Sequence, residues 1–244
     1  MTIIPLSEGA FTIDKTKIFV PFELEQDDLQ ARPIGSLLVE VQPFVVVTNN
    51  DIILLDTGLG FSKNGQLQIH QNLIAAGIAP EKVTKVLLSH LHKDHSGGIR
   101  KRDKLGNDVL AFENATYYVQ QQEFDYAMEV GFPSYMSEEL SVLFRNPQVE
   151  WLNGNGVIDN YIHYEITAGH CKYHQVFFIK ENNEIVFFGG DDAPQIQQMK
   201  TKFVAKYDYD GKKCMQLRQS WWQQGLQEHW KFLFYHEIKT PVWE

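Results

Sequence analysis

Residues 89–98 read S-H-L-H-K-D-H-S-G-G and contain three of the nine histidines of the chain. A short apolar run comes directly before them and is typical of a buried strand. His90 and His92 stand at positions i and i+2, so in extended backbone both imidazoles point the same way and can reach one ion. Asp94 and His95 follow at once, and a turn there brings them to a second ion beside the first. The segment therefore predicts a metal site at the end of a strand.

Small residues follow the cluster at Ser96–Gly98 and allow the backbone to pass close to the site. Imidazole and carboxylate ligands suit Zn, Mn, Fe or Co, and Zn is the commonest choice at catalytic sites. Four ligands leave two adjacent ions under-coordinated, so further ligands must come from elsewhere in the chain. Three later segments place a ligand side chain where an apolar strand meets a loop: Thr167–His170, Gly189–Asp191 and Phe234–His236.

Apolar patterning predicts strands in the first third of the chain and a mixture of strands and helices after it. The predicted strands are Phe11–Val20, Leu37–Val47, Ile52–Leu55, Lys85–Ser89, Val176–Lys180, Ile185–Phe188 and Lys231–Tyr235, and the predicted helices are Leu67–Ala76 and Lys212–Glu228. Asn and Asp tolerate positive φ, so residues 49–51 and 181–184 are predicted hairpin turns. The order favours sheets packed on each other with helices outside, a layered α/β sandwich. No repeat or linker interrupts the chain, so residues 1–244 are predicted to form a single domain.

The charge balance and the cysteine count limit the classes of binding partner and the cellular compartment that we expect. The chain carries 22 Lys and Arg against 31 Asp and Glu, a net charge of −9, whereas phosphate binding needs clustered basic residues. No run approaches the roughly 20 apolar residues of a membrane span, and the N-terminus has no secretory signal pattern. Cys171 and Cys214 are too few for a disulfide framework. We therefore expect a cytoplasmic protein without a nucleic-acid or membrane partner.

The ordered motifs resemble the metallo-β-lactamase superfamily. The run from His90 to His95 matches the family's His-x-His-x-Asp-His signature, and a His, an Asp and a His follow it in the family's order. The stretch Leu54-Leu-Asp-Thr-Gly-Leu-Gly60 is similar to an early Asp-Thr-Gly motif, and Phe188-Gly-Gly-Asp191 is similar to the Gly-Asp that supplies a shared carboxylate. The resemblance covers most of the chain. It implies a four-layer αβ/βα sandwich, in which two mixed β-sheets carry helices on their outer faces.

The resemblance also implies a ligand set for two divalent metal ions, of which Zn²⁺ is the expected kind and Mn, Fe or Co are possible. Carried over by position, the first ion would be bound by His90, His92 and His170, the second by Asp94, His95 and His236, and both by Asp191. Asp56 would orient ligands without binding metal. Asp192 is the competing candidate for the shared carboxylate, and Asp191 is preferred because it directly follows Gly190.

The implied chemistry is hydrolysis of an ester, a lactone or a related bond in a small-molecule substrate. Two metals about 3.5 Å apart share a bound water and lower its pKa enough to supply hydroxide near neutral pH. Asp94 is the catalytic candidate, because its carboxyl can relay a proton to the leaving group. The oligomeric state does not follow from these residues.

Within the superfamily, the spacing of the ligands resembles the N-acyl-homoserine-lactone lactonases and the related aryl and organophosphate hydrolases. Lactonases of this kind often carry a tyrosine three residues after the shared aspartate, and here Pro194 stands in that position. Tyr161 and Tyr207 are the candidates to replace it. The alternatives are a glyoxalase II-like thioesterase, an iron-dependent sulfur dioxygenase and a non-catalytic member that only binds metal or ligand.

The remaining histidines and most of the aromatic residues are expected to have structural roles. His174 is expected to make structural hydrogen bonds, and His70, His163 and His229 have no ligand-like neighbours. The aromatic residues Trp221, Trp222 and 230–235 are expected to fill the core for the most part, with some of them lining a pocket. A lid beside the site is a hypothesis for Phe132, Pro133 and Tyr135.

Overall fold

The computed structural model describes residues 1–244. Its strands are β1 Thr2–Pro5, β2 Ala10–Ile13, β3 Val20–Pro21, β4 Leu37–Glu40, β5 Phe44–Val47, β6 Ile52–Leu55, β7 Ser62–Lys63, β8 Gln66–Leu67, β9 Lys85–Leu87, β10 Arg100–Arg102, β11 Asp108–Leu110, β12 Thr116–Gln120, β13 Val149–Leu152, β14 Gly156–Ile158, β15 Ile162–Ile166, β16 Gln175–Glu181, β17 Glu184–Phe188, β18 Lys231–Leu233 and β19 Val242–Trp243. The α-helices are α1 Gln68–Ala75, α2 Lys93–Ser96, α3 Gln121–Val130, α4 Ser137–Leu140, α5 Ile196–Lys200 and α6 Gly211–Gln227. Short 3-10 turns lie between them, and the one at Gly190–Asp192 belongs to the site described below.

Two six-stranded sheets form the centre of the fold. The first has the order β1-β5-β6-β9-β12-β13, antiparallel from β1 to β6 and parallel from β6 to β13. The second has the order β14-β15-β16-β17-β18-β19 and is antiparallel except where β17 runs parallel to β18. Both sheets are therefore mixed, as predicted, and the parallel strands of each end at the edge that carries the histidine cluster.

Side chains alternate between two cores along the strands of the first sheet, because successive residues of a strand point to opposite faces. Val45 and Leu54 pack outward against Leu73 of α1 and Phe124 of α3. Inward-facing residues of the same sheet pack against inward-facing residues of the second sheet, and this inner core includes Val46, Ile53, Leu55, Phe177, Ile179, Val186 and Phe188. The outer face of the second sheet is covered by α5 and α6. The layers are thus helix, sheet, sheet and helix, which confirms the four-layer sandwich.

Two of the predicted strands are wrong in extent. The strand predicted over Phe11–Val20 is two strands, β2 and β3, separated by a turn. The Asp14 carboxylate accepts a hydrogen bond from the Thr16 N–H at 2.8 Å, and Lys17 follows with φ 60. Side-chain hydrogen bonds of this kind compete with the strand ladder and favour a turn. The turn projects from the sheet toward the metal-ligand cluster.

The strand predicted over Leu37–Val47 is also two strands. β4 pairs with β2 in a separate three-stranded sheet, whereas β5 belongs to the first six-stranded sheet. Pro43 lies between them, and proline has no N–H to continue a ladder. The two hairpin turns, the strand before the histidine cluster and the helices α1 and α6 are found where the sequence predicts them, within one or two residues at most ends.

Close backbone contact brings the loop after β6 against the end of the histidine cluster. The Gly97 N–H donates to the Gly58 carbonyl at 2.8 Å, and the Thr57 N–H donates to the His95 carbonyl at 2.7 Å. A Cβ on Gly97 would lie 2.3 Å from the Leu59 carbonyl oxygen, and one on Gly60 (φ +73) would lie 2.1 Å from the Gly97 oxygen. Only glycine permits this approach at both positions.

Candidate metal centre

The histidine cluster begins where β9 ends. His90 and His92 lie in the loop after this strand, and His92, whose backbone is extended (φ −60, ψ 147), is the last residue before α2. The single turn of α2 then places Asp94 and His95 beside them, both buried. The change from extended chain to helix is what directs four neighbouring side chains to two adjacent positions.

A first group of ligand atoms comes from His90, His92, His170 and Asp191, and all four atoms lie within 4.8 Å of one another. The Nδ1 of His92 lies 2.9 Å from Nε2 of His90 and 3.1 Å from Nε2 of His170. His170 reaches the group from the loop between β15 and β16, and Asp191 reaches it from the 3-10 turn after β17. Three imidazoles and a carboxylate are a donor set suited to a divalent transition metal.

A second group comes from Asp94, His95 and His236, again within 4.8 Å of one another. The Oδ2 of Asp94 lies 3.6 Å from Nε2 of His95 and 3.6 Å from Nε2 of His236. His236 follows β18, so the C-terminal end of a parallel strand delivers this side chain. All seven side chains proposed from the sequence as ligands therefore lie in one place.

The carboxylate of Asp191 stands between the two groups. Its Oδ2 lies 3.2 Å from Nε2 of His170, in the first group. Its Oδ1 lies 3.2 Å from Nε2 of His95 and 3.0 Å from Nε2 of His236, in the second. These nitrogens are close, but neither Asp191 Oδ1 nor His95 Nε2, both buried, makes a hydrogen bond of acceptable geometry. Buried polar atoms are normally paired, so these two fit a site that binds cations.

The ring nitrogens that face away from the centre are held by other groups. Nδ1 of His95 lies 2.7 Å from Oδ2 of Asp56, and Nδ1 of His236 lies 2.6 Å from the Glu40 carbonyl oxygen. Nδ1 of His170 lies 3.0 Å from Oδ1 of Asp208. A proton held on Nδ1 leaves Nε2 free to ligate a metal, and such partners also set the orientation of the ring.

Asp56 holds three groups at once. Besides His95, its carboxylate accepts hydrogen bonds from the Ser89 N–H and the Ser89 hydroxyl, each at 2.7 Å. The same hydroxyl lies 3.0 Å from Nδ1 of His90. Asp56 is fully buried and has φ 56, a conformation that Asp and Asn adopt more readily than most residues. It thus has the position of an orienting residue and lies outside both ligand groups.

Asp208 and the Glu40 carbonyl were not found from the sequence. The stretch K-Y-D-Y-D around Asp208 contains no spacing that marks a ligand partner. A backbone carbonyl such as that of Glu40 has no sequence signature at all. Asp208 lies in the loop between α5 and α6 and Glu40 ends β4, so both partners reach the site through tertiary packing.

Electrostatics divide the histidines into two kinds. Burial lowers the pKa of His90 and of His92 well below the usual range. Burial also disfavours the charged form of His95, yet the carboxylates of Asp191 and Asp94 outweigh it and raise its pKa. The Asp191 carboxylate likewise raises the pKa of His170 and of His236. Carboxylates that stabilise imidazolium would equally stabilise a cation held between the rings.

Asp192 and His174 form a supporting network beside the ligands. Oδ1 of Asp192 accepts a hydrogen bond from the His170 N–H at 2.6 Å, and Oδ2 lies 3.1 Å from Nδ1 of His174. Nε2 of His174 accepts the Asp191 N–H at 3.2 Å. Asp192, the competing candidate for the shared carboxylate, therefore points away from both ligand groups, and His174 makes structural hydrogen bonds as expected.

A cavity of about 380 Å³ opens over the centre. Its walls include apolar residues from the β2–β4 region and from the segment after α5, and polar residues line the remainder: Ile13, Asp14, Lys15, Lys17, Phe19, Gly35, Leu37, Leu38, Val39, His92, Lys93, Asp94, Ser134, His170, Asp191, Pro194, Gln195, Gln198, Phe203, Tyr207 and His236. Tyr207 lies in this wall near Pro194, with its ring centroid 6.2 Å from that of His170. Tyr161 instead hydrogen-bonds Asp51, outside the cavity lining.

The remaining aromatic residues divide between core and site. Trp221 and Trp230 pack in the core between the second sheet and α6, and no tryptophan lines the cavity. Tyr135 is buried, and its ring centroid lies 4.8 Å from that of His92. Phe132 is exposed beside Lys93. Tyr135 thus packs against the ring of His92, whereas Phe132 and Pro133 have the exposure that a lid residue needs.

Glu8 is buried under the loop that follows Asp56, and its Oε2 accepts the Leu59 N–H at 2.7 Å. Burial raises the pKa of Glu8 from its usual value near 4.5 to about 7. The folded protein therefore holds an extra proton between about pH 4.5 and pH 7, and this carboxyl lowers stability as the pH rises through that window.

We expect Glu8→Gln to remove this dependence. Relative to the wild type, the variant should gain about 3 kcal/mol of unfolding free energy between pH 4.5 and pH 8, from 1.36 kcal/mol per pKa unit. Urea unfolding of both proteins across this range measures the difference, in which the pH dependence of the shared ligand cluster cancels. Parallel curves would show that Glu8 does not titrate in this window.

Residues 39–221 match the family model described as "Metallo-beta-lactamase superfamily". This match covers most of the chain and agrees with the four-layer fold and the seven gathered side chains. The chain therefore belongs to the metallo-β-lactamase superfamily.

Curated relatives match a smaller part of the chain. An N-acyl homoserine lactonase AttM of Agrobacterium fabrum is 31% identical over an alignment of 122 positions that covers 45% of this chain and 40% of that protein. AttM of Azorhizobium caulinodans is 31% identical over an alignment of 119 positions that covers 43% of this chain and 39% of that protein. The matched region thus spans about two fifths of the length of these relatives.

Solved structures share the whole fold at low identity. A probable metal-dependent hydrolase from Staphylococcus aureus superposes with a TM-score of 0.79 at 21% identity, covering 99% of this chain and 91% of that one. AidC, a dizinc quorum-quenching lactonase solved with a product, superposes with a TM-score of 0.73 at 18% identity, covering 98% and 88%. These likenesses establish the architecture. Within the chain itself, no helix combines the length and the apolar character needed to cross a membrane.

Proposed function

We propose that the chain is a metal-dependent hydrolase that cleaves an ester or lactone bond in a small molecule. The observation that carries this proposal is the position of Asp191, which directs one carboxylate oxygen to each of the two ligand groups. The buried atoms Asp191 Oδ1 and His95 Nε2 fit this role, because neither makes a hydrogen bond and a bound cation would supply the missing interaction.

Seven side chains would hold the two metal ions, most simply Zn²⁺: His90, His92 and His170 for one, Asp94, His95 and His236 for the other, and Asp191 for both. When bound, such ions lower the pKa of a coordinated water and polarise the bond to be cleaved. Asp56 and Asp208 hold the Nδ1 atoms of His95 and His170, so that each ring presents Nε2 to the centre.

Two further side chains have positions suited to catalysis. The carboxylate of Asp94 lines the cavity and reaches the second group, so it can accept a proton and pass it to the leaving group. Burial and the nearby Asp208 raise the pKa of Tyr207 to about 12, so its phenol stays protonated. As a hydrogen-bond donor in the cavity wall, Tyr207 takes the place of the tyrosine that Pro194 replaces.

The substrate class follows from the cavity and from the relatives. Ile13, Phe19, Leu38 and Phe203 make part of the wall apolar, which suits an acyl chain or a ring. The curated relatives are named N-acyl homoserine lactonases, and a lactone is a cyclic ester. Lactones with an acyl substituent are therefore the first compounds to test.

The inner core supports one domain over residues 1–244, because it joins strands of both sheets. Cys171 and Cys214 are both free and buried, which supports a reducing compartment such as the cytoplasm.

Metal analysis and a substrate screen test the proposal together. The purified protein is expected to hold two divalent ions per chain by mass spectrometry and to hydrolyse lactones or aryl esters, with chelation abolishing turnover and added Zn²⁺ restoring it. Phosphotriesters and thioesters complete the screen. One iron per chain with consumption of oxygen would establish a dioxygenase instead. Two ions with no turnover on any class would establish a binding protein.

A further inference from the structure

Three lysines, Lys15, Lys17 and Lys93, line the cavity. Lys93 stands between the ligands His92 and Asp94 in the sequence, and Lys17 comes from the turn between β2 and β3. The Lys93 ammonium lies 5.9 Å from the ring centroid of Phe19 and 5.9 Å from that of Phe132. Lys17 and Lys93 are only partly exposed, whereas Lys15 is exposed. The charges of Lys17 and Lys93 are thus held within the walls of the cavity.

Neither ammonium group has a carboxylate partner. Ion pairs within 4.0 Å are formed by Lys85, Arg100, Lys101, Arg102 and Lys231, and not by Lys17 or Lys93. Asp14 also lines the cavity, but its carboxylate accepts hydrogen bonds from the N–H and hydroxyl of Thr16. Unpaired cations are unexpected here, because acidic residues outnumber basic ones 31 to 22.

The other two carboxylates that line the cavity are not available to pair with these lysines. Asp94 and Asp191 belong to the ligand groups, where metal ions would neutralise them. The two lysines therefore remain as free positive charges in a partly apolar cavity. A partly desolvated ammonium interacts more strongly with an anion than one in open water.

We propose that the substrate carries an anionic group, a carboxylate, separated by an apolar segment from the ester or lactone bond. Lys17 and Lys93 bind this carboxylate, while the apolar segment lies against Phe19 and its neighbours. This inference rests on the proposed hydrolase function and adds the charge of the substrate to it.

A matched pair of aryl esters isolates the charge. Mono-4-nitrophenyl adipate and 4-nitrophenyl hexanoate have acyl parts of six carbons and the same leaving group, and only the adipate ester carries a carboxylate. We expect the wild-type kcat/KM to be about ten-fold higher for the adipate ester. The preference should shrink as ionic strength rises, because salt screens the pair.

Lys17→Gln and the double variant Lys17→Gln/Lys93→Gln test the residues. The ratio of the two kcat/KM values should fall toward one in the double variant. Lys104→Gln is the matched control, because Lys104 is exposed, lies outside the cavity and loses the same charge. An unchanged ratio in the double variant, or an equal loss in the control, would overturn the inference.

Calorimetric binding of adipic acid monoamide and hexanamide provides a second readout, because only the monoamide carries a carboxylate. The wild type is expected to bind the monoamide more tightly, and the double variant to lose this advantage. If neither these esters nor any compound of the substrate screen is hydrolysed, the hydrolase proposal fails, and the comparison of binding affinities still tests the charge inference. If both esters are hydrolysed at equal rates, the hydrolase proposal stands and the charge inference fails.

Discussion

Asp191→Asn is expected to lower turnover about 10³-fold and to reduce the metal content below two ions per chain. The carboxylate directs Oδ2 to His170 and Oδ1 to His95 and His236, so it is the one side chain that serves both ligand groups. An amide keeps the size of the side chain but turns one of these oxygens into a donor that cannot ligate. Metal analysis after dialysis, followed by steady-state kinetics on the best substrate of the screen, measures both effects.

Asp192→Asn is the matched control for this prediction. It makes the same chemical change one residue away, at a side chain that accepts the His170 N–H and faces His174. We expect this variant to keep two ions and to lose about 2 kcal/mol of stability, because a buried hydrogen-bond network is broken. Two ions in Asp191→Asn together with depleted metal in Asp192→Asn would exchange the roles assigned to the two residues.

Asp56→Ala is expected to cost about 4 kcal/mol of unfolding free energy. The carboxylate is fully buried, and its removal leaves the Ser89 N–H, the Ser89 hydroxyl and Nδ1 of His95 without their partner. Alanine also disfavours the φ of 56 at this position. Denaturant unfolding of the metal-free proteins measures the loss without the contribution of bound ions.

Asp56→Asn distinguishes the contribution of Asp56 to stability from its contribution to metal affinity. Asparagine tolerates the backbone conformation and its oxygen still accepts the Ser89 N–H, so the loss of stability should be less than half as large. Its amide group cannot accept the proton of His95 Nδ1, so affinity for the second ion should fall about 10- to 100-fold. Equal stability losses in the two variants would show that backbone strain plays no part at this position.

The fold was predictable where local pattern decides structure. The hairpin turns at residues 49–51 and 181–184 and the helices α1 and α6 follow from turn chemistry and apolar spacing. Two strands were predicted too long, because a side-chain hydrogen bond at Asp14 and the missing N–H of Pro43 interrupt their ladders. Both interruptions are local in origin, and each has a signal in the sequence.

The local part of the site follows from the sequence alone. His90, His92, Asp94 and His95 are close in the chain, so a strand followed by one helical turn necessarily brings them together. His170, Asp191 and His236 could be proposed as partners because parallel and antiparallel strands end at one edge of the sandwich, and the structure places them there.

The surroundings of the candidate ligands depend on tertiary packing. Asp208 and the Glu40 carbonyl meet the histidines through long-range packing, and the turn at Lys17 reaches the cavity only because β2 and β4 form a separate sheet. The assignment of Tyr207 rather than Tyr161 to the cavity wall has the same origin. Contacts between distant segments depend on the summed packing of both sheets, and no local spacing encodes them.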